Sequence, residues 1–375
     1  MTGSPATQDI SPAAVADAAS TPQRVKFSSS DAFLQEIKKR VDAYFHQTGR
    51  KPRDCPQMYF KTATIIAWFV SAYVLLVFFA QSWITVVPLA IILGLAMAAI
   101  GFNIQHDGGH RAYSDRRWVN KIMAMSLDLM GGSSYMWDWK HNSIHHTYPN
   151  ISGQDDDIDV GILGRLSPHQ KRYWFHRLQG VYLWFLYGFL AIKWHFYDDF
   201  YNVIAGKIGE HVVPRPKGWD LVVFVGGKLI FLTWAFFIPL AFHPFWPVVA
   251  VYVLAAFVSG VVLSAVFQLA HCVEEADFPM PDANGKMSTD WAIHQLQTTV
   301  DFSRRNPVLS WFLGGLNFQV EHHLFHRICH VHYPALSKVV ENACKEFGVR
   351  YAANKTLFSA LASHFRWLNR MGQPE

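Results

Sequence analysis

Clustered histidines are the residues of this chain whose types and spacing could do chemistry. The chain has 375 residues, of which 19 are histidine. The closely spaced ones lie in three segments: HDGGH at 106–110, HNSIHH at 141–146 and QVEHH at 319–323. In the first two segments, histidines four residues apart share one face of a helix, whereas His146 lies about 100° around from His145. Imidazole suits iron, copper, zinc and nickel, so the spacing indicates a metal site.

The number of these histidines indicates more than one metal ion. With the isolated His271, the segments supply eight imidazoles: His106, His110, His141, His145, His146, His271, His322 and His323. Eight ligands are too many for one site, and they fit two metals with about four each and open positions for oxygen. Zinc is the alternative metal, although it prefers fewer and more closed ligands. Because the segments contain no cysteine, an iron–sulfur centre is not expected.

Two long runs without Asp, Glu, Lys or Arg indicate that the chain spans a membrane. The first run covers 44 residues, from Thr62 to Gln105, and the second covers 42 residues, from Leu229 to Ala270. Since about 20 apolar residues cross a bilayer, each run is long enough for two crossings and a turn. The predicted spans are 62–81, 86–105, 221–242 and 247–269. Buried helices of a soluble protein are the alternative, but two such runs are rare in soluble chains.

Lysine and arginine residues set the predicted orientation. Neither type occurs in the predicted hairpin turns, near 82–85 and 243–246, whereas both are frequent before the first span and after the second. By the positive-inside rule, both termini and the segment 106–220 face the cytosol. All eight histidines then meet at the cytosolic membrane face. The placement of the spans does not depend on the histidines, so this agreement supports the metal site independently.

The composition fits a membrane protein with a sizeable polar part. Hydrophobic residues make up 51% of the chain and charged residues 16%, compared with about 25% charged residues in soluble domains. A mean hydropathy of +0.10 is too low for a bundle that lies wholly in the membrane. The net charge of +5 does not favour nucleic acid as a partner. The four scattered cysteines form no CxxC pair and are expected to be reduced thiols.

The three histidine segments together resemble the histidine boxes of integral-membrane fatty acid desaturases. Their order and separation match, as do the two membrane hairpins, and the resemblance covers roughly residues 60–340. Gln319, in place of a first histidine in the third box, resembles the front-end subgroup, which inserts a double bond between an existing one and the carboxyl end. The resemblance implies two non-haem iron ions, O2 as co-substrate and two electrons from a small redox protein. It therefore implies desaturation of an unsaturated acyl-CoA or acyl-lipid.

The same resemblance places the iron ligands on the eight histidines. Four more residues are expected to touch metal or to support the ligands: Gln319, His294, Asp107 and Glu321. Gln319 could ligate through its carbonyl oxygen or hold a water, and Asp107 and Glu321 could orient imidazole N–H groups. His326, where the family commonly has proline, is expected outside the ligand set. The acidic run at 155–159 is interpreted as a solvated loop; the alternatives are an electrostatic partner for nearby basic groups and a shell around the metals.

The predicted fold is an all-α integral membrane protein with four transmembrane helices in two hairpins and a cytosolic helical cap that holds a di-metal site. Its predicted segments are a disordered tail over 1–28, a cytosolic or interfacial helix over 29–61, the desaturase domain over 62–340 and a cytosolic helical segment over 341–375. Many front-end desaturases carry a fused cytochrome b5 domain with a His-Pro-Gly-Gly motif. This sequence has no such motif, so we expect a separate electron donor, such as ferredoxin or cytochrome b5 with its reductase. The bilayer and a fatty acyl substrate, linked to CoA or lipid, are the other expected partners.

Two other functions remain open from the sequence. A membrane hydroxylase of alkyl or carotenoid substrates would share the first hydrogen abstraction and the histidine boxes, although QVEHH favours the desaturase. A membrane metal transporter would need ionisable residues inside its spans. The predicted spans contain almost none, with Lys228 as the exception.

Overall fold

Four long apolar helices confirm the predicted membrane architecture. A computed structural model describes residues 25–374, so most of the predicted tail, residues 1–24, lies outside the described residues. The helices that are long and apolar enough to cross a membrane are Pro56–Phe79, Trp83–Gly109, Trp219–Leu240 and Phe245–His271. We call them the first to fourth spans. Each span begins and ends within a few residues of its predicted bounds, and the largest difference is the earlier start of the first span, at Pro56. Proline is well placed there because the first N–H of a helix needs no partner.

The remaining elements are short and lie mainly at the end of the bundle that carries His106 and His271, where they form what we call the polar cap. The other α-helices are Ala32–Thr48, Arg117–Ala124, Ser126–Leu129, Ser134–Trp137, Gln179–Tyr187, Leu190–Lys193, Asp199–Ala205, Trp291–Thr298, Pro307–Phe312, Gln319–Phe325, Tyr333–Phe347 and Leu357–Gly372. Strands Lys207–Ile208 and His211–Val212 pair antiparallel, and strands Asp301–Phe302 and Ala353–Asn354 pair parallel. The described chain is thus mostly helical, as predicted.

The second and fourth spans approach each other closely through small residues. A β carbon at Gly94 of the second span would overlap the carbonyl of Ala255 in the fourth. Small residues allow such contacts between helices in a membrane, where packing rather than the hydrophobic effect drives association. This close pair brings the ends of the two spans, and therefore His106 and His271, to the same part of the molecule.

The segment before the first span differs from the single helix predicted over 29–61. The helix Ala32–Thr48 ends at Gly49, which adopts a left-handed conformation with φ of 63°, and glycine is the residue that accepts this C-cap without steric cost. A new helix, the first span, then begins at Pro56. Residues 25–28 also differ from the predicted loose tail, because Val25 is buried and Lys26 bridges to Lys286.

The core of the polar cap fixes the third histidine segment. Phe33, Ile37 and Val41 of the helix Ala32–Thr48 pack in one buried cluster with Val320 and Leu336. Val320 lies within the helix Gln319–Phe325, all of whose residues are buried. Because buried apolar side chains hold this helix on several sides, the two histidines that it carries have little freedom to move.

Candidate metal centre

The second span places His106 and His110 through a closely packed last turn. Its segment Gly101–Gln105 is π-helical, and the HDGGH segment follows directly. A β carbon at Gly108 would lie 2.6 Å from the backbone nitrogen of Ala124, and one at Gly109 would overlap the ring of Trp137. The two glycines therefore let this turn approach its neighbours more closely than any other residue would allow.

The second histidine segment lies at the end of a π-helical stretch, Asp138–His145. The N–H of His146 donates to the carbonyl of His141 over 3.0 Å, which is a hydrogen bond between residues five apart. Such a wide turn is rare and is frequently found at functional sites. It brings His146 towards the face that His141 occupies, with ring centroids 4.8 Å apart. The prediction placed His146 about 100° around a regular α-helix from the face of His141 and His145. That placement was wrong, because the segment is π-helical.

The eight predicted histidines all converge, although they come from four separate parts of the chain. Ring nitrogens that lie within 4.8 Å of one another form a first group, from His106, His110, His141 and His322, and a second group, from His145, His271 and His323. His146 lies between the groups, because its nitrogen is within 4.8 Å of those of both His322 and His323, one from each group. Every one of these rings is buried.

Unpaired ring nitrogens inside these groups test whether a metal fits. The Nε2 atoms of six buried rings have no hydrogen-bond partner among the described residues: His110, His141, His145, His146, His322 and His323. Buried polar atoms are nearly always paired in proteins, and each orphan needs an explanation. Metal coordination explains the whole set, since the ring nitrogens of each group lie within 4.8 Å of one another. The residues present thus fit two metal ions bound by nitrogen ligands.

The opposite nitrogen of most rings is held by a neighbouring acceptor. The Nδ1–H of His145 donates to Asp155 over 3.0 Å, and that of His323 donates to the amide oxygen of Gln295 over 2.8 Å. The Nδ1–H of His271 donates to the carbonyl of Thr298 over 3.1 Å. Such contacts fix the tautomer and aim Nε2 at a metal. Sequence reasoning did not find Gln295 and Thr298, and nothing in their local pattern marks them.

The acidic run after the second segment supports the ligands, so its interpretation as a solvated loop was wrong. Asp155 is buried and accepts hydrogen bonds from His145 and from the backbone N–H of Asn150. Asp157 lies 3.5 Å from Nδ1 of His141, and Lys140 pairs with Asp157 over 3.3 Å. The signal for this role was the position of the run, immediately after three histidines.

Burial and mutual repulsion keep most of these rings neutral. Burial lowers the pKa of His110, His146, His322 and His323 well below the ordinary value, and the neighbouring imidazoles lower it further. A neutral ring at physiological pH offers the lone pair that a metal requires. His145 differs: burial opposes its charged form, but Asp155 and Asp157 more than offset this and raise the pKa of His145.

The four additional predicted residues have different positions. Nε2 of Gln319 lies 2.9 Å from Nε2 of His271, so this amide reaches the second group. His294 is buried but lies outside both groups, and its Nε2 contacts the carbonyl of Pro149 at 2.9 Å.

The carboxylates of Asp107 and Glu321 contact residues other than the eight histidines, which differs from the prediction. Oδ2 of Asp107 lies 2.9 Å from Nδ1 of His330, and Oε1 of Glu321 accepts a hydrogen bond from Tyr351. Each acid directly neighbours a grouped histidine in sequence, so the helix turns its side chain away from that ring.

A cavity of about 360 Å³ reaches the first group of histidines. Its lining includes His106 and His141, apolar side chains of the second and fourth spans such as Met97, and a charged rim that contains Lys140 and Asp156. An apolar channel with a polar rim is suited to a long aliphatic molecule that carries a polar end.

A family model described as fatty acid desaturase matches residues 81–355, a range that contains all three histidine segments and His271. The chain belongs to the fatty acid desaturase family. It is therefore an oxidoreductase and an integral membrane protein, as predicted. The apolar spans, the histidine groups and the cavity are the parts of this desaturase that its chemistry requires.

Three relatives are similar over nearly the whole of this desaturase. The sn-1 linoleoyl-lipid 6-desaturase of Arthrospira platensis is 40% identical over 94% of this chain and 96% of the relative. The enzyme of the same name from Synechocystis sp. is 39% identical over 94% of this chain and 99% of the relative. The acyl-lipid (8-3)-desaturase of Physcomitrium patens is 38% identical over 93% of this chain and 73% of the relative.

Proposed function

We propose that this desaturase inserts a cis double bond into a lipid-linked, already unsaturated acyl chain, on the carboxyl side of the existing bond. The observation that carries the proposal is the convergence of eight buried imidazoles beside an apolar cavity, which two of them, His106 and His141, line. Relatives whose names specify linoleoyl-lipid or acyl-lipid substrates support it. In the reaction, one CH2–CH2 pair, O2, two electrons and two protons give one CH=CH pair and two waters.

The eight histidines are the proposed ligands of two iron ions. No side chain is a strong enough base to remove hydrogen from an unactivated methylene, so the bound metal pair supplies the oxidising chemistry with O2. The protein's own groups hold the imidazoles in place through Asp155, Gln295 and Thr298. The cavity walls fix which carbon pair lies beside the metals and exclude bulk water from it.

The layout of the cavity supports a reaction near the carboxyl end. Lys140 and Asp157, at the charged rim, directly adjoin His141 in sequence or in space. Met97 and Ser259, from the middle parts of the second and fourth spans, line the apolar portion. An acyl chain with its ester at the rim would place only its first few carbons before the metals, and its longer methyl portion would extend towards Met97.

The charges at the rim favour a lipid-linked substrate over acyl-CoA. Among the lining residues, all within the described range 25–374, the lysines are Lys140 and Lys193, and both pair with aspartates at 2.9–3.0 Å. Asp159 adds a further negative charge. The phosphates of CoA need unpaired cations or backbone N–H groups for binding. A rim whose lysines are already paired does not provide such a phosphate site.

The proposed orientation places the polar cap, both termini and the metal centre in the cytosol. The support is the distribution of Lys and Arg, which are absent from the two hairpin turns at 80–82 and 241–244 and abundant at the opposite end of the spans. Cysteine labelling of a variant with a single exposed cysteine in each turn would test this orientation.

Expression in a host that is fed linoleate tests the proposed function. We expect a triene whose new double bond lies between the existing bonds and the carboxyl group, and we expect it first in the membrane lipid fraction rather than in acyl-CoA. His146→Ala should abolish the product while the protein still inserts, and His46→Ala, on the exposed face of the helix Ala32–Thr48, should not. Hydroxylated products would instead support the hydroxylase alternative, and unchanged lipids would contradict both.

A further inference from the structure

We propose that a small acidic one-electron carrier protein docks on a basic surface around His326 and transfers its electrons to the metal centre through that ring. This inference rests on the proposed function, because a desaturase consumes two external electrons for each double bond. It adds to that function a docking site, a partner of stated charge and a residue on the electron path.

His326 connects the buried histidine groups with the protein surface. Its ring centroid lies 5.3 Å from that of His110 and 5.0 Å from that of His146. Those two rings are each 3% exposed, whereas His326 is partly exposed. It is not a member of either group of candidate ligands in the described part of the chain. Its Nδ1 atom is buried without a hydrogen-bond partner among the described residues, as are both ring nitrogens of His110 and His146, so this ring extends the imidazole cluster towards the surface.

Two exposed arginines lie near this ring. Arg327 directly follows His326, and Arg111 directly follows His110, whose ring centroid lies 5.3 Å from that of His326. Arg53 extends the patch, because its guanidinium donates a hydrogen bond to the carbonyl of Arg327 over 3.3 Å. Arg111 has φ of 61°, a left-handed conformation that is strained for a residue with a β carbon. Such strain is found mostly at functional positions, and here it turns the chain directly after His110.

The basic character continues on the loop that packs beside this surface. The backbone N–H of Cys329 donates to the carbonyl of Pro52, which ties the segment 50–53 to the chain just after Arg327. That segment reads Arg-Lys-Pro-Arg. The acids beside it are Asp54 and Asp115, and Asp115 pairs with Arg53. The patch is still positive overall, because its cations outnumber these two acids: Arg50, Lys51, Arg53, Arg111 and Arg327.

The cavity rim has the opposite charge and cannot serve the same partner. It carries Asp156, Asp157, Asp159 and Asp198, against two paired lysines. An acidic protein would be repelled there and attracted to the arginines around His326, so the substrate and the electron carrier would use separate faces of the polar cap. At each encounter the carrier loses one electron to the metal centre, and two encounters supply the pair that one double bond requires.

The test uses the iron-loaded, full-length protein in vesicles that contain linoleoyl-lipid, with a reduced acidic [2Fe–2S] ferredoxin as the electron source. The main variant is Arg111→Asn combined with Arg327→Glu, because asparagine tolerates the left-handed backbone at position 111. We expect the KM for ferredoxin to rise about tenfold and its dependence on salt to weaken, while kcat at saturating ferredoxin changes little. The matched control is Lys39→Glu, an exposed reversal on the helix Ala32–Thr48, which should leave both values unchanged.

A second variant, His326→Leu, tests the electron path. We expect its ferredoxin-driven rate to fall at least tenfold, while a single turnover driven by dithionite and the iron content stay close to wild type. An unchanged KM in the arginine variant, or an equal rise in Lys39→Glu, would overturn the docking site. An unchanged ferredoxin-driven rate in His326→Leu, or an equal loss with dithionite, would overturn the path. Failure of the proposed function is distinguishable, since the wild-type protein would then desaturate with neither reductant.

Discussion

At the scale of single residues, the ligand histidines divide their two nitrogens between support and coordination. In His145, His323 and His271, Nδ1 donates to a protein acceptor, and in the first two Nε2 has no protein partner. This division explains why a carboxylate or amide that never touches the metal can still control its binding. Losing such a supporting contact typically weakens metal affinity by about 10–100-fold.

Asp155→Asn should therefore weaken iron binding without preventing insertion. The change removes the negative charge from the acceptor of His145 Nδ1–H and leaves a side chain of the same size, so we expect iron affinity to fall by about 10–100-fold. Titration with an iron chelator measures this, and Asp42→Asn on the exposed face of the helix Ala32–Thr48 is the control. Equal affinities for the Asp155 variant and the control would mean that this acid is only structural.

Gln319 gives a second prediction at this scale, because its amide lies 2.9 Å from Nε2 of His271. Gln319→Ala should make one of the two irons labile and lower turnover strongly. Gln319→His should bind two irons yet work poorly, since a misplacement of about 1 Å can cost about 100-fold in rate. Iron per chain and turnover are measured together. Two irons with full activity in the alanine variant would show that Gln319 neither binds a metal nor holds its water.

At the scale of secondary-structure elements, irregular helices bring the ligands together. The π-helical stretch Asp138–His145 redirects His146, and the close glycine contacts of the second span fix His106 and His110. The sequence predicted the spans well because long charge-free runs have few soluble alternatives. It did not predict the π-helical turn, since a pattern of histidines is compatible with either helix type and only tertiary packing selects the wider one.

Gly108→Ala tests the role of that packing. The added β carbon would lie 2.6 Å from the backbone nitrogen of Ala124, and backbone cannot move as a flexible side chain can. We expect the last turn of the second span to shift, with loss of most iron and activity. Gly226→Ala, in the third span, is the matched control because its β carbon would meet no atom within 4 Å. Equal iron contents in the two variants would contradict this account of the HDGGH turn.

At the scale of the whole molecule, the spans and the polar cap meet at buried polar contacts as well as apolar ones. His364, in the last helix, contacts the hydroxyl of Tyr187 and the carbonyl of Cys272 just after the fourth span. The convergence of the eight histidines could be predicted, because membrane topology brings the ends of the spans together. The contacts of His364, Gln295 and Thr298 could not, because they depend on how segments far apart in sequence pack in the cap.

His364 also predicts how stability depends on pH. Burial lowers the pKa of His364 to about 4, against about 6.5 in the unfolded chain. The unfolded state therefore takes up this proton first, so the contribution of the neutral ring is present above about pH 6.5 and is lost as the pH falls towards 4. Between pH 7 and pH 5, the melting temperature of the His364→Gln variant should fall less than that of the wild type. The exposed control His46→Gln should behave as wild type, and parallel pH profiles for all three would contradict the assignment.

The central claim is that these eight histidines bind two iron ions, and metal analysis of the purified protein combined with X-ray absorption at the iron edge tests it most directly. We predict two irons per chain, surrounded by nitrogen and oxygen at short range and without sulfur. In membrane-inserted His146→Ala we predict a loss of iron, and in His46→Ala we predict none. A single iron, bound zinc in place of iron, a sulfur neighbour, or an unchanged iron content in His146→Ala would contradict the account.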